Sequence, residues 1–212
     1  MRSLIFGFFL LFCSAIVVAQ PRYDFGLQGG VLISGMPGFS NVPLSKVSGY
    51  GGFSITRRDD KKNYLQLDIG YTRKGAFRLP KNDTADRFNL SLHYAEAAMV
   101  YRWEVLKISR GTRGGLEAGM SYAYLLSPQI RRDGERFDFN PIWSDKYDLS
   151  IVAGAHMIFS GHLLFRTRAT YSVNPILRRN ILPNDIENLN VLKTHNITLQ
   201  FGVVWLMRGL YY

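Results

Sequence analysis

Cysteine is almost missing: Cys13 is the only one in 212 residues, and it sits in the apolar stretch at the N-terminus. Removal of that stretch would leave no thiol, which excludes disulfides, thiolate metal sites and cysteine nucleophiles. Stability must then come from a core or from a closed sheet. Also missing, after the N-terminal stretch, is any segment of helical length with apolar residues at a 3.6-residue period. The four histidines, His93, His156, His162 and His195, show no metal-ligand spacing such as H-E-x-x-H. No phosphate-binding glycine loop occurs, and Gly29-Gly30 and Gly51-Gly52 read as strand glycines that permit curvature or close packing. No cofactor or metal is expected on these grounds. Catalysis would need His195 to meet Asp145 or Asp185 at a loop rim, which the sequence does not require, so no enzymatic activity is expected.

The first residues, MRSLIFGFFLLFCSAIVVAQ, carry one positive charge at Arg2 and an apolar core from Leu4 to Leu11 that is too short to span a bilayer. Val17-Val18-Ala19 precedes Gln20, so residues 1–19 read as a secretory signal peptide cleaved after Ala19, with 20–212 as the mature domain. A transmembrane anchor is disfavoured because no charged stop-transfer flank follows. Lipid attachment at Cys13 is disfavoured because bulky Phe12 precedes it.

The formal net charge is +10, which drops by one with Arg2. The basic doublets Arg57-Arg58, Lys61-Lys62, Arg131-Arg132 and Arg178-Arg179 sit in polar connecting segments, not along one stripe, so nucleic acid is not the expected partner. For an exported chain, outer-membrane lipid and lipopolysaccharide phosphates are the acidic partners to expect.

What the sequence has in abundance is alternation. In NYLQLDIGYTRKG, Leu65, Leu67, Ile69 and Tyr71 share one parity, while Gln66, Asp68, Gly70, Thr72 and Lys74 share the other. Similar segments begin near Asp24, Val47, Leu90, Gly115, Lys146, His162 and His195, which makes about eight strands of the length that crosses a bilayer at a tilt. Long connections (Ser34 to Lys46, Ala76 to Arg87, Ser127 to Asp145, Ile176 to Thr194) alternate with shorter ones (Arg58 to Lys62, Glu104 to Arg113, Ser160-Gly161). The expected fold is an all-β, eight-stranded antiparallel up-and-down transmembrane barrel in the outer membrane, with both termini on the turn side.

One parity is nearly free of charge. The other holds Asp68, Glu96, Glu117 and Asp148 together with Lys74, Arg102, Arg166 and Arg168. A soluble lipocalin-like barrel would put the apolar face inside; a membrane barrel would put it against lipid. Aromatics toward strand ends (Tyr64, Tyr71, Tyr101, Trp103, Tyr122, Tyr124, Tyr171, Trp205) and small residues on the polar face favour the membrane. An eight-stranded barrel is just wide enough for side chains to fill it, so Asp68, Glu96, Arg102, Glu117, Asp148, Arg166 and Arg168 are expected to form a polar plug. Arg166 and Arg168 are expected to meet Glu96, Asp148 or Glu117 across the lumen. A narrow porin remains the alternative. Arg131, Arg132, Arg136, Phe139 and Trp143 in the long connection from Ser127 to Asp145 suit contact with a protein partner or with lipopolysaccharide phosphates, unless that loop folds over the barrel mouth. Asp83-Thr84-Ala85 fits a short bacterial O-glycosylation pattern.

Taken in order, YLQLDIGYTRKGAF, LHYAEAAMVYRWEV, GLEAGMSYAYLLSP, DLSIVAGAHMIF and LLFRTRATYSVNPI make a chain that resembles the PorT-like outer-membrane β-barrel family of Bacteroidetes-type bacteria. The resemblance covers nearly the whole mature chain. It rests on Lys74-Gly75-Ala76 ending the third strand, Tyr94 and Glu96 in the fourth, and glycine-centred later strands; Ala98 stands where the family usually has proline. It implies an outer-membrane location and eight strands, and little about activity. The secretion and gliding role of the family's namesake is not carried over, because that member's N-terminal segment is not seen here.

Overall fold

The structure, a computed structural model, describes residues 23–36, 45–59, 62–78, 88–109, 111–132, 135–137, 146–159, 161–175 and 195–207. The expected signal peptide, residues 1–19, lies outside them. The strands are β1 (Tyr23–Gly35), β2 (Lys46–Arg58), β3 (Asn63–Arg78), β4 (Phe88–Ser109), β5 (Thr112–Arg132), β6 (Glu135–Phe137), β7 (Tyr147–Phe159), β8 (Leu163–Ser172) and β9 (Ile197–Leu206). Eight of the nine close a ring in the order β4-β3-β2-β1-β9-β8-β7-β5, sealed by the β4–β5 pairing, while β6 is a three-residue strand on the end of β5. Every pairing is antiparallel, as short connections require.

The connections at one end are short (59–62, 110–111, 160–162), and those at the other are long (36–45, 79–87, 138–146, 173–196). Two connections differ from expectation. The segment from Glu104 to Arg113 is mostly strand: β4 runs to Ser109 and β5 starts at Thr112, around a tight turn where Gly111 takes a φ of 93°. Register shifts at Glu104/Leu106 and Lys107/Ser109 break the period-2 pattern there, and for that reason Val105, Leu106 and Ile108 did not read as strand. At the loop end, β5 continues through Ser127 to Arg132 and then pairs back with β6, so the expected loop from Ser127 is partly sheet.

The parity of each strand decides its environment. Leu67, Ile69, Met99, Leu116, Met120, Ile151, Phe165 and Phe201 are exposed on the outside. Gln66, Asp68, Glu117, Ser121, Arg166, Arg168 and Gln200 are buried on the inside. A water-soluble barrel would have the reverse arrangement, so the lipocalin-like alternative is excluded. Closure matters for the same reason: hydrocarbon offers backbone groups no hydrogen-bond partner, and only a sheet without edges satisfies them all.

Aromatic side chains mark both rims of the apolar belt. Tyr101 and Trp103 meet edge to face at 5.0 Å near the turns, and Tyr122 and Tyr147 stack at 6.2 Å near the loops. Tyr64 does not belong to this girdle. It lies on the inward parity with Gln66 and Asp68, is fully buried, and carries the Arg102 guanidinium 5.1 Å over its ring.

Glycine thins the wall at one place for a visible reason. Gly30 and Gly202 face each other across β1 and β9, and the Tyr50 ring lies over both from inside. A Cβ on Gly202 would strike the Tyr50 hydroxyl, and one on Gly30 would come 2.9 Å from Tyr50 Cε1.

An arginine placed at the outward-facing Ile69 should destabilise the barrel by about 2–4 kcal/mol, the cost of a cation near the bilayer midplane. Urea unfolding in lipid vesicles measures this; an unchanged midpoint would mean that Ile69 does not face hydrocarbon.

Candidate functional site: the filled lumen and the loop end

The inward side chains form layers. At the turn end, Tyr64, Ile158, Leu164, Val204 and Leu206 make a fully buried apolar floor. At the loop end, Met36, Ala76, Leu90, Leu92, Ala123 and Leu125 make an apolar lid together with Tyr94. Between them the lumen is ionic.

In the lower ionic layer, Asp68 accepts hydrogen bonds from Arg166 Nη1 at 2.7 Å, Arg168 Nη1 at 2.6 Å and Gln66 Nε2 at 2.6 Å. Arg168 also donates to both carboxylate oxygens of Glu117, from Nε and, at 3.3 Å, from Nη2. Arg166 donates its second Nη to Gln28 and lies 5.7 Å over the Tyr50 ring. In the upper layer, Lys74 sits 3.2 Å from Glu96 and 3.3 Å from Asp148. Thr72 donates to Glu96 at 2.8 Å, and Asn196 and Ser150 each donate to Asp148 at 2.9 Å. The Lys74 ammonium also lies 5.3 Å from the Tyr94 ring centre.

The pairing differs from the expected one in an instructive way. Of the three carboxylates expected to take Arg166 and Arg168, only Glu117 does so, by binding Arg168. Asp68 takes both arginines, while Glu96 and Asp148 hold Lys74. Level in the barrel explains it. Asp68 pairs with Ala98, so Glu96 stands two residues nearer the loop end, and Asp148 stands six residues above Gly154, the partner of Arg168. A long arginine side chain crosses the lumen at its own height. Lys74, on the same parity as Asp68, is the hub that the expected network omitted.

Arg102 is fully buried, and its three guanidinium nitrogens have no hydrogen-bond partner among the described residues. Its charge rests on the face of Tyr64 and on the nearby carboxylates of Glu117 and Asp68. Counted together, Asp68, Glu96, Glu117 and Asp148 balance Lys74, Arg102, Arg166 and Arg168. The space left between the two ionic layers is a cavity of about 30 Å³ bordered by Gln28, Asp68, Glu96, Arg166 and Arg168, room for one water. A larger concavity, about 700 Å³, is lined by Gly29, Gly30 and Gly202 together with Val31, Phe165 and Phe201.

Three of the four histidines contact neighbouring groups, whereas His156 is buried with neither ring nitrogen hydrogen-bonded among the described residues. His195 stacks on Tyr171 with centroids 5.6 Å apart, and its Nδ1 lies 3.0 Å from the Ser172 carbonyl. His162 Nδ1 lies 3.1 Å from the Leu206 carbonyl, and His93 contacts the Tyr71 hydroxyl. Asp145 and Asp185 lie outside the described residues. Among the described residues no group of three or more His, Cys, Asp or Glu stands where it could hold a metal ion. Of the loop candidates, Arg131 is exposed at the end of β5. Arg132 and Arg136 belong to β5 and β6 with side chains outside the description, and Phe139, Trp143 and Thr84 lie outside it altogether.

A closed eight-stranded barrel, apolar without and ionic within, defines an outer-membrane protein. Residues 18–178 match the family described as "Outer membrane protein beta-barrel domain", and the chain belongs to it. No protein of curated function matches the sequence. Among solved structures, Neisserial surface protein A shares 14% identity and a TM-score of 0.49 over 85% of this chain and 96% of its own. Ail of Yersinia pestis, solved with the heparin analogue sucrose octasulfate, shares 11% identity and a TM-score of 0.48 over 88% and 99%. OprG of Pseudomonas aeruginosa shares 12% identity and a TM-score of 0.46 over 87% and 95%.

Asp68→Asn keeps the shape of the lower layer and removes the charge that both arginines share. It should cost about 3–5 kcal/mol, as breaking a buried ion pair does. Urea unfolding monitored by the shift between unboiled and boiled gel mobility measures it; a loss under about 0.5 kcal/mol would show that the layer contributes nothing to folding.

Proposed function

We infer that this protein is a non-conducting, non-enzymatic outer-membrane barrel that works at the cell surface as an interaction or assembly component through its loop end. The observation that carries this reading is the filled lumen: an apolar floor, two ion-paired layers and an apolar lid, with water-sized space between the layers. A solute path would have to break both layers at once, so among the described residues the narrow-porin alternative has no continuous opening to use. The partners that fit are lipopolysaccharide phosphates and a protein docked on the loops, with Arg131, Arg132, Arg136, Phe139 and Trp143 as the contacting candidates. Export by a signal peptide cleaved after Ala19 belongs to the same reading.

Membership of the PorT-like branch is supported by where its marker residues lie. Lys74 from Lys74-Gly75-Ala76, and Tyr94 and Glu96 from the fourth strand, converge on one another in the upper layer. Ala98, at the usual proline position, is buried on the inner wall of β4 and pairs with Asp68 and Ser121.

Planar-bilayer recording on the purified protein tests the proposal. The plugged barrel gives no steady conductance, whereas reproducible open channels that persist at low voltage would replace it with the porin reading.

A further inference from the structure

In the lumen, Asp68, Glu96, Glu117 and Asp148 balance Lys74, Arg102, Arg166 and Arg168. At the outer rim cations gather without that balance. Lys46, the first residue of β2, is buried, and its ammonium donates to Asn89 Oδ1 at 2.7 Å, to the Leu90 carbonyl at 2.9 Å and to the Ser91 hydroxyl. All three acceptors are neutral. Arg73 donates from Nη2 to the same Ser91 hydroxyl at 3.1 Å, which brings a second cation to one oxygen. Arg131 pairs in register with Asn89, the residue that holds Lys46. Arg73 Nε is buried and has no hydrogen-bond partner among the described residues. None of the ion pairs among the described residues involves Lys46, Arg73 or Arg131.

The backbone is shaped to bring these groups together. Gly75, with a φ of 150°, pairs with Ser91; a Cβ there would collide with the Leu90 carbonyl and come 3.4 Å from Lys46 Cδ. The missing side chain lets Lys46 reach across β3 to β4. Gathering three cations around neutral acceptors, one of them buried, is unfavourable unless an anion completes the set.

Height identifies the anion. Arg73 stands two residues beyond Tyr71 toward the loop end, about 7 Å at the rise of an extended strand. Tyr71 belongs to the outer aromatic rim and contacts His93, the register partner of Arg73. Aromatic rims lie at headgroup level, so Arg73 and Arg131 stand where outer-leaflet phosphates lie. We propose that Lys46, Arg73 and Arg131 form a binding site for a phosphate group of an outer-leaflet glycolipid. The two guanidinia supply the hydrogen bonds, and Lys46, whose donors are already engaged, supplies charge. The site rests on the loop end facing outward, as the proposed function does, but not on a closed lumen. A conducting pore would overturn that function and leave this site standing.

Native mass spectrometry of the detergent-purified full-length protein tests it, with diphosphorylated lipid A and the same lipid stripped of phosphate as probes. The phosphorylated lipid should bind at least roughly tenfold more tightly, and the double variant Arg73→Gln, Arg131→Gln should remove that advantage while keeping the closed-barrel gel shift. Lys46→Met should weaken the phosphorylated lipid alone. Equal binding of the two lipids, or an undiminished advantage in the double variant, overturns the site. Tighter retention of inorganic phosphate than of the phosphorylated lipid overturns its assignment to the membrane.

Discussion

The structure depends on charge neutralisation along the barrel axis. Hydrocarbon outside forces the apolar parity of every strand outward, and the same alternation drives the polar parity inward. A ring of eight strands leaves no aqueous channel to hydrate what arrives there. In the ionic layers, Asp68, Glu96, Glu117 and Asp148 must therefore satisfy Lys74, Arg102, Arg166 and Arg168. Asp68 between two arginines, and Lys74 between two carboxylates, are the two arrangements that do it. Each hub uses strands far apart in sequence: Arg168 and Asp68 are 100 residues apart, and Lys74 and Asp148 are 74. The network thus ties β3 to β7 and β8 across the barrel, which neighbour-to-neighbour pairing cannot do.

The ends of the barrel follow from the same economy of solvent. Above and below the ionic layers, the described residues gather buried apolar side chains at each end of the lumen. At the outer rim the requirement for charge balance extends beyond the chain itself, because Lys46, Arg73 and Arg131 gather without a carboxylate among the described residues.

Much of this was legible in the sequence. Alternation placed Leu67 and Ile69 outward and Gln66 and Asp68 inward, because a strand with one face in lipid cannot slip by one residue. The charged residues of the lumen were legible for the same reason. Their partners were not, since which residues share a height depends on strand tilt and stagger, which a single strand does not record. Charge alone matches Glu96 and Asp148 to the arginines, and the structure gives them to Lys74. Position near a strand end suggests a girdle residue at Tyr64, whereas its parity with Asp68 points it inward, where it is buried. The β4–β5 extension past Trp103 is not legible in the sequence because two bulges erase the alternation that reveals a strand.

The most direct measurement of axial neutralisation is a double-mutant cycle between Asp68 and Arg168, using Asp68→Asn, Arg168→Gln and both together, with unfolding free energies read in lipid vesicles. A coupling energy of about 2 kcal/mol or more is the result that buried mutual dependence requires. Additive losses, with coupling near zero, would mean that the two side chains do not neutralise each other and that the lumen is held together in some other way.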